Sequence, residues 1–448
     1  MKPFNLNLKK SQLLVIGLTL LTTLNTSLLP FNNGKDLFEF SLQADAQTSD
    51  RNVDAKLFIE RAREKYQQGN YKGAFSDCNE AIRLSPNHAN AHNCRGIVRS
   101  KLGDSRGSLS DYNEAIRLDP NYAFAFGNRG LAKFKLGDYQ GALSDYNKAI
   151  LLNPEYAEAY TGRGGARSNL GDRNGAVSDY TKAIRISPKE TDAYILRGIE
   201  KSTLGDSYGA ITDYSAVITI NPQDASTYFL RAGEKFIIGD KNGAILDLDE
   251  AIRLNPKYEK AYATRGNIKF LLGDRNGAIS DYTESIRINP NQASTFYQRG
   301  DARYSIGDKN GAISDFTETI RLDPKNTKSY ILRGLAKFDI GDKYGAIFDF
   351  TEVVRINPRD SEAYLKRGMV KELLGDVYGS ISDYTEVIRF NPESGEAYFN
   401  RGKQKLTIGD RKGAAIDIAK AASLFTQQGE ILELEVLKIW TSYKNFVY

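Results

Sequence analysis

The sequence predicts an all-α chain of tandem helix hairpins, and three observations carry that expectation. Ten of the twelve prolines, from Pro86 to Pro392, recur at intervals of 34 residues. A Gly-Asp pair, Gly-Asn in the first unit, recurs on the same period. On either side of that pair the apolar residues follow helical spacing, as at Val177, Tyr180 and Ile184. A fixed period of this length marks a stacked array in which each unit contacts its neighbours. Eleven units fill residues 55–428. No room is left for a separate catalytic domain, and the chain is expected not to be an enzyme.

The chain opens with Lys2, Lys9 and Lys10, followed by an apolar run from Leu13 to Leu24. A basic start before a run too short to span a bilayer is the pattern of an export signal. Ala44-Asp45-Ala46 offers a small-residue cleavage site before Gln47. Residues 1–46 are therefore expected to form an export signal, either cleaved or kept as an anchor. The expected location is periplasmic or extracellular, with membrane contact only through this segment if it is uncleaved. Residues 47–54 are expected to be a linker.

The unit Ala157–Glu190 shows how each hairpin is written. Its first half runs to Leu170, where Gly171-Asp172 breaks it. Asp172 stands where a helix N-cap belongs, and its carboxylate can accept from a free N–H of the second helix. Ser187-Pro188 ends that helix, because proline lacks an N–H and disfavours helix in the residue before it. A Gly four residues past the turn, such as Gly175, recurs in all eleven units. Its helix cost of ~1 kcal/mol against Ala suggests close helix approach or room for a long side chain.

This unit resembles the tetratricopeptide repeat. The family's slots are filled by Tyr160, Gly164, Gly171-Asp172, Ala176, Ala183 and Pro188. The resemblance extends over all eleven units. It implies a right-handed α-solenoid of antiparallel hairpins, with a groove lined mainly by the first helices. It also implies a non-enzymatic scaffold that holds a protein or peptide segment in that groove.

Two slots depart from the family pattern or add to it. Arg163 stands where the family has Leu, and every unit has Arg there; Asp179 recurs likewise. The two lie eight residues either side of Gly171. Residues equidistant from the turn of an antiparallel hairpin sit at the same height. Arg163 with Asp179, and Arg265 with Asp281, are thus expected as structural ion pairs, a forked guanidinium against a carboxylate. An anion-binding row of arginines is the alternative. A further basic slot, as at Lys133 and Arg167, follows one turn later.

Cys78, His88, His92 and Cys94 hold the chain's entire Cys and His content. Cys78 stands in the slot of Tyr112, Tyr146 and Tyr180, and His92 in that of Tyr160, so they read as smaller core fillers; zinc binding or hydrolytic chemistry is the alternative. Two cysteines provide no disulfide framework. No nucleotide fingerprint or HExxH motif occurs, and no cofactor is expected. Against 56 acidic side chains stand 61 basic ones, a net charge of +5. A surplus that small does not point to nucleic acid; no small-molecule substrate is expected either.

The groove-facing stripe becomes apolar and aromatic in units six to nine. It reads Phe229, Phe236, Phe270, Tyr297, Tyr304, Ile331, Leu335 and Phe338, which makes this stretch the expected partner-binding groove. A self-associating structural array is the alternative function. At the far end Thr426 replaces the terminal proline. Residues 429–448 carry Leu432, Val436, Ile439, Trp440 and Tyr443 on one helical stripe, expected to cap the last unit.

Overall fold

The computed structural model describes residues 50–427. The expected export segment and capping helix lie outside the described residues. Within them are 22 helices and no strand, paired into eleven antiparallel hairpins. The described chain divides at Asn255/Pro256 into two compact bodies. Within each, every hairpin packs on the next.

Local chemistry sets the hairpin. Helix Ala157–Asn169 ends in Gly171, whose φ of +90° lies in the left-handed region that glycine tolerates. The Gly171 N–H donates to the Ser168 carbonyl at 3.0 Å and the Asp172 N–H to the Arg167 carbonyl at 2.9 Å. That pair of bonds is a Schellman closure, which satisfies carbonyls the helix end would otherwise leave bare. Asp172 then starts helix Arg173–Ile186 by accepting from the Gly175 N–H at 2.9 Å. The space at the Gly175 slot serves first the cap and, at Gly107, also the basic side chain, Arg99 Cδ lying 2.9 Å from where a Cβ would stand. A Cβ on Gly175 would stand 2.0 Å from Asp172 Oδ2, so the glycine makes room for the capping carboxylate.

The core is built by size matching across the hairpin. Tyr180 is buried, and a Cβ on Gly164 would fall 2.6 Å from its ring. Tyr112, Tyr214, Tyr282 and Tyr384 meet Gly96, Gly198, Gly266 and Gly368 in the same way. Where the ring is replaced by Cys78 or Leu248, the opposing glycine is replaced by Ala62 or Ala232. These two units thus keep their volume while changing their residues, as a close-packed interior favours; in the last unit Ile418 replaces the ring and Gly402 is kept.

The start of the described array departs from the sequence expectation. The first helix begins at Asp50 and takes in the second half of the expected 47–54 linker. The last runs from Arg411 to Gln427, longer than the 14-residue second helices before it. Thr426 retains its N–H and does not stop the helix as proline does.

Candidate functional site

The recurring arginines form the ion pairs expected of them. Arg163 meets Asp179 through Nε at 2.9 Å and Nη2 at 2.6 Å, and Arg265 meets Asp281 at the same two distances. The fork repeats in all eleven units, from Arg61–Asp77 to Arg401–Asp417. The aspartates are buried, so the arginines are committed inward rather than arrayed for an anion. The second basic slot joins them: Arg167 Nη1 lies 2.9 Å from Asp179 Oδ2, and Lys269 Nζ 2.9 Å from Asp281 Oδ2.

Sequence reasoning missed a third bond. Arg163 Nη1 donates back to Asn147 Oδ1 in the preceding unit at 2.8 Å. Arg95 and Arg129 reach Asn79 and Asn113, and Arg197 and Arg231 reach Thr181 and Ser215. In the second body Arg299, Arg333, Arg367 and Arg401 reach Thr283, Thr317, Thr351 and Thr385. The guanidinium therefore closes its own hairpin and ties it to the one before.

The Cys/His corner is also corrected. Cys78 and Cys94 form a disulfide, with Cα atoms 6.0 Å apart, joining the second helix of unit one to the first helix of unit two. Both thiols are consumed, and His92 Nε2 donates to the Pro86 carbonyl at 2.8 Å. Among the described residues, no group of three or more His, Cys, Asp or Glu could hold a metal ion. The zinc reading and the expectation that no disulfide staples the chain both give way to this bond.

The expected groove residues fall into two settings. In the first body Phe229 and Phe236 are buried in helix Ala225–Ile237. In the second body Leu335 belongs to a buried cluster, with Tyr297, Tyr304, Ile331 and Phe338 partly buried against it. Phe270 is likewise partly buried, against the Ala278–Tyr282–Ala302 cluster. These side chains thus divide between core and surface.

Cations of the chain itself cover two of the rings, which the sequence stripe did not show. Arg275 Cζ lies 3.9 Å from the Phe270 ring centre, and Lys309 Nζ 3.3 Å from that of Tyr304. Lys309 also pairs with Asp339 at 3.1 Å, and the Tyr304 hydroxyl donates to Asp339 at 2.8 Å. Burial, together with the Asp339 hydrogen bond, raises the Tyr304 pKa. Burial and the nearby Asp301 push Tyr297 up to about 12. Asp301 itself is raised by burial, against the opposing pull of Arg275. The face is therefore mixed: aromatic edges and aliphatic side chains, with cations stacked on the rings and carboxylates between them.

Models of the tetratricopeptide repeat match residues 123–156, 157–190 and 259–292. Three of the chain's units are thus matched as tetratricopeptide repeats, and the 22 described helices fit an array of them. Such arrays bind protein or peptide partners, and the fold is that of an interaction scaffold. Among solved structures it is similar to the MamA protein, at 27% identity over 38% of this chain and 93% of that one, with a TM-score of 0.37. Pseudomonas aeruginosa pilF is 18% identical over 46% and 95% of the two chains, with a TM-score of 0.43. Yeast Tom70 is 14% identical over 89% and 96%, with a TM-score of 0.34. No curated protein matches the chain.

Proposed function

We propose that this tetratricopeptide array is a non-enzymatic scaffold, working outside the cytoplasm, that holds an extended protein segment against the first helices of its second body. The observation that carries the reading is the half-buried group Tyr297, Tyr304, Ile331 and Phe338, seated on buried Leu335. Such side chains are held in place yet keep an edge for a ligand. Rigid aromatic anchors of this kind supply most of the energy in peptide contacts, ~2 kcal/mol or more for the best. Export is supported by Cys78–Cys94, because disulfides persist in oxidising compartments and are rare in reducing ones.

The test is affinity capture with the disulfide-bonded chain and with a Phe270→Ala, Tyr304→Ala double variant, each also assayed for melting. Loss of the captured partner at unchanged melting supports the reading. Loss of folding would assign these rings to the core, and unchanged capture would move the site elsewhere. One observation favours self-association as a second reading. Tyr344, Phe348 and Tyr378, on second helices of the second body, are 76%, 58% and 74% exposed. Light scattering that rises with concentration, and falls on replacing Tyr344 and Tyr378 by Ser, would support it.

A further inference from the structure

Two buried glutamates in the first body occupy one repeat slot but have different surroundings. Glu200 and Glu234 stand 34 residues apart, in the first helices of units five and six. Most units have a small or aliphatic residue at that slot, such as Ala132, Ala166 or Ile268. One oxygen of each glutamate is treated alike. Ser168 Oγ donates to Glu200 Oε1 at 2.5 Å, and Ser202 Oγ to Glu234 Oε1 at 2.6 Å.

The second oxygens differ. Glu200 Oε2 takes Arg173 Nη1 at 2.8 Å, from the start of the preceding second helix. Arg173 is 38% exposed, so its guanidinium reaches the buried carboxylate from the solvent side. One repeat on, the slot of Arg173 is Ser207, whose side chain is far too short to reach. Glu234 is 4% exposed, and its Oε2 has no hydrogen-bond partner among the described residues. A buried carboxylate oxygen without a donor is costly, and a cation at hydrogen-bond distance is what offsets that cost.

We infer that Glu234 is a receptor for a basic side chain, a guanidinium or primary ammonium, presented by a protein segment bound along the first body. The ligand would supply from outside the charge that Arg173 supplies within the chain one repeat earlier. Glu234 Oε2 is closed to water, so the entering side chain must part the residues at the mouth. That requirement favours a slender side chain over a whole folded surface. This inference rests on the reading of the array as a holder of protein segments.

The test uses a probe that does not depend on finding that partner. The full chain is titrated with acetyl-arginine amide, and with acetyl-citrulline amide as the neutral isostere, following thermal melting and the NMR shift of the Glu234 carboxyl carbon. A saturable response to the arginine probe, at least about tenfold weaker for citrulline, is expected, since a charge-assisted hydrogen bond is worth about that factor. Glu234→Gln keeps the Ser202 contact and should abolish the response. Ser207→Arg should supply the guanidinium internally, raise the melting point and also abolish the response. An equal response to citrulline, survival of the response in both variants, or no saturable response would overturn the inference. Failure here with partner capture intact would leave the scaffold reading standing; a saturable arginine response without partner capture would leave the cation site but refute its role in holding a protein segment.

Discussion

Arg333→Ala is the substitution whose cost the geometry defines best. Asp349 is fully buried and Arg333 is 11% exposed on its side chain. The carboxylate accepts Arg333 Nε at 3.0 Å and Nη2 at 2.6 Å, and Lys337 Nζ stands 3.0 Å away. Arg333 Nη1 adds the bond to Thr317 at 3.1 Å, and its guanidinium lies 5.5 Å from the Tyr330 ring centre. Breaking a buried pair by removing one member costs ~3–5 kcal/mol, because the remaining charge is left without its partner. Lys337 still neutralises Asp349, which places Arg333→Ala near the lower end, at ~3 kcal/mol. Lys337→Ala leaves the fork intact and should cost about 1.5–2 kcal/mol, the low end for one hydrogen bond to a charged group, since Lys337 is partly exposed. Arg61 provides the control. Its side chain is 48% exposed and Lys65 also contacts Asp77, so Arg61→Ala should cost less than Arg333→Ala. Repeat arrays need not unfold in one step. The readout is therefore urea unfolding followed by helix circular dichroism, together with hydrogen exchange at amides of residues 327–356. A cost for Arg333→Ala below ~1 kcal/mol, or one equal to that of Lys337→Ala, would refute the clamp.

Reducing Cys78–Cys94 should destabilise the first two units by ~3 kcal/mol, the chain-entropy estimate for a loop of this length, seen as a lower urea midpoint with reductant; an unchanged midpoint would mean the bond constrains little. Burial raises the pKa of Tyr146, Tyr180, Tyr214, Tyr282 and Tyr384 above the ordinary value of 10. The folded state then holds more protons than the unfolded one above about pH 10, so that stability is present below this pH and lost as pH rises. Tyrosinate absorbance of these rings should appear together with loss of helix, and their titration near pH 10 with the helix intact would contradict their burial. Gly175→Ala should gain little, because its helix gain of ~1 kcal/mol is offset by displacing the Asp172 cap, worth ~1 kcal/mol. In an Asp172→Ala background the same change should stabilise by ~1 kcal/mol, and equal effects in the two backgrounds would show no such conflict.

The repeat period, the turn and the cap were legible because each rests on one residue type with one physical property. Gly171 takes a backbone conformation that other residues resist, Asp172 offers a carboxylate, and Pro188 withholds an N–H. The Arg–Asp pairs were legible from equal distance to a turn. The same argument, centred on Pro86, places Cys78 and Cys94 opposite each other, eight residues away on either side. The disulfide obeys that symmetry across the connection between hairpins, where no recurring residue pair marks it. The bonds from Arg163 and its counterparts to Asn147, Thr181 or Ser215 share this inter-unit relation. Their acceptors change from Asn to Thr and Ser along the array, so no one letter marks all of them. The stripe of aromatic residues was visible as spacing, but spacing carries no depth. Burial of Phe229, Phe236 and Leu335 depends on the neighbouring units, and the cations over Phe270 and Tyr304 come from Arg275 and Lys309 beyond the turn.

The position of the disulfide gives the array a direction. Unit one has no hairpin before it among the described residues, and nearly half of the Arg61 side chain meets solvent. By the logic of a nearest-neighbour stack, such an end would be the first to peel. Here it is the end sewn covalently to its neighbour. A machine that unravels the protein from this side must extract two units together or first meet a reductant. Within the second body, the last four hairpins each carry one guanidinium tie to the hairpin before, and each can be shed after loss of that tie and one interface. Digestion by a processive protease should therefore proceed as a ladder of 34-residue steps in one direction and stall at the outset in the other.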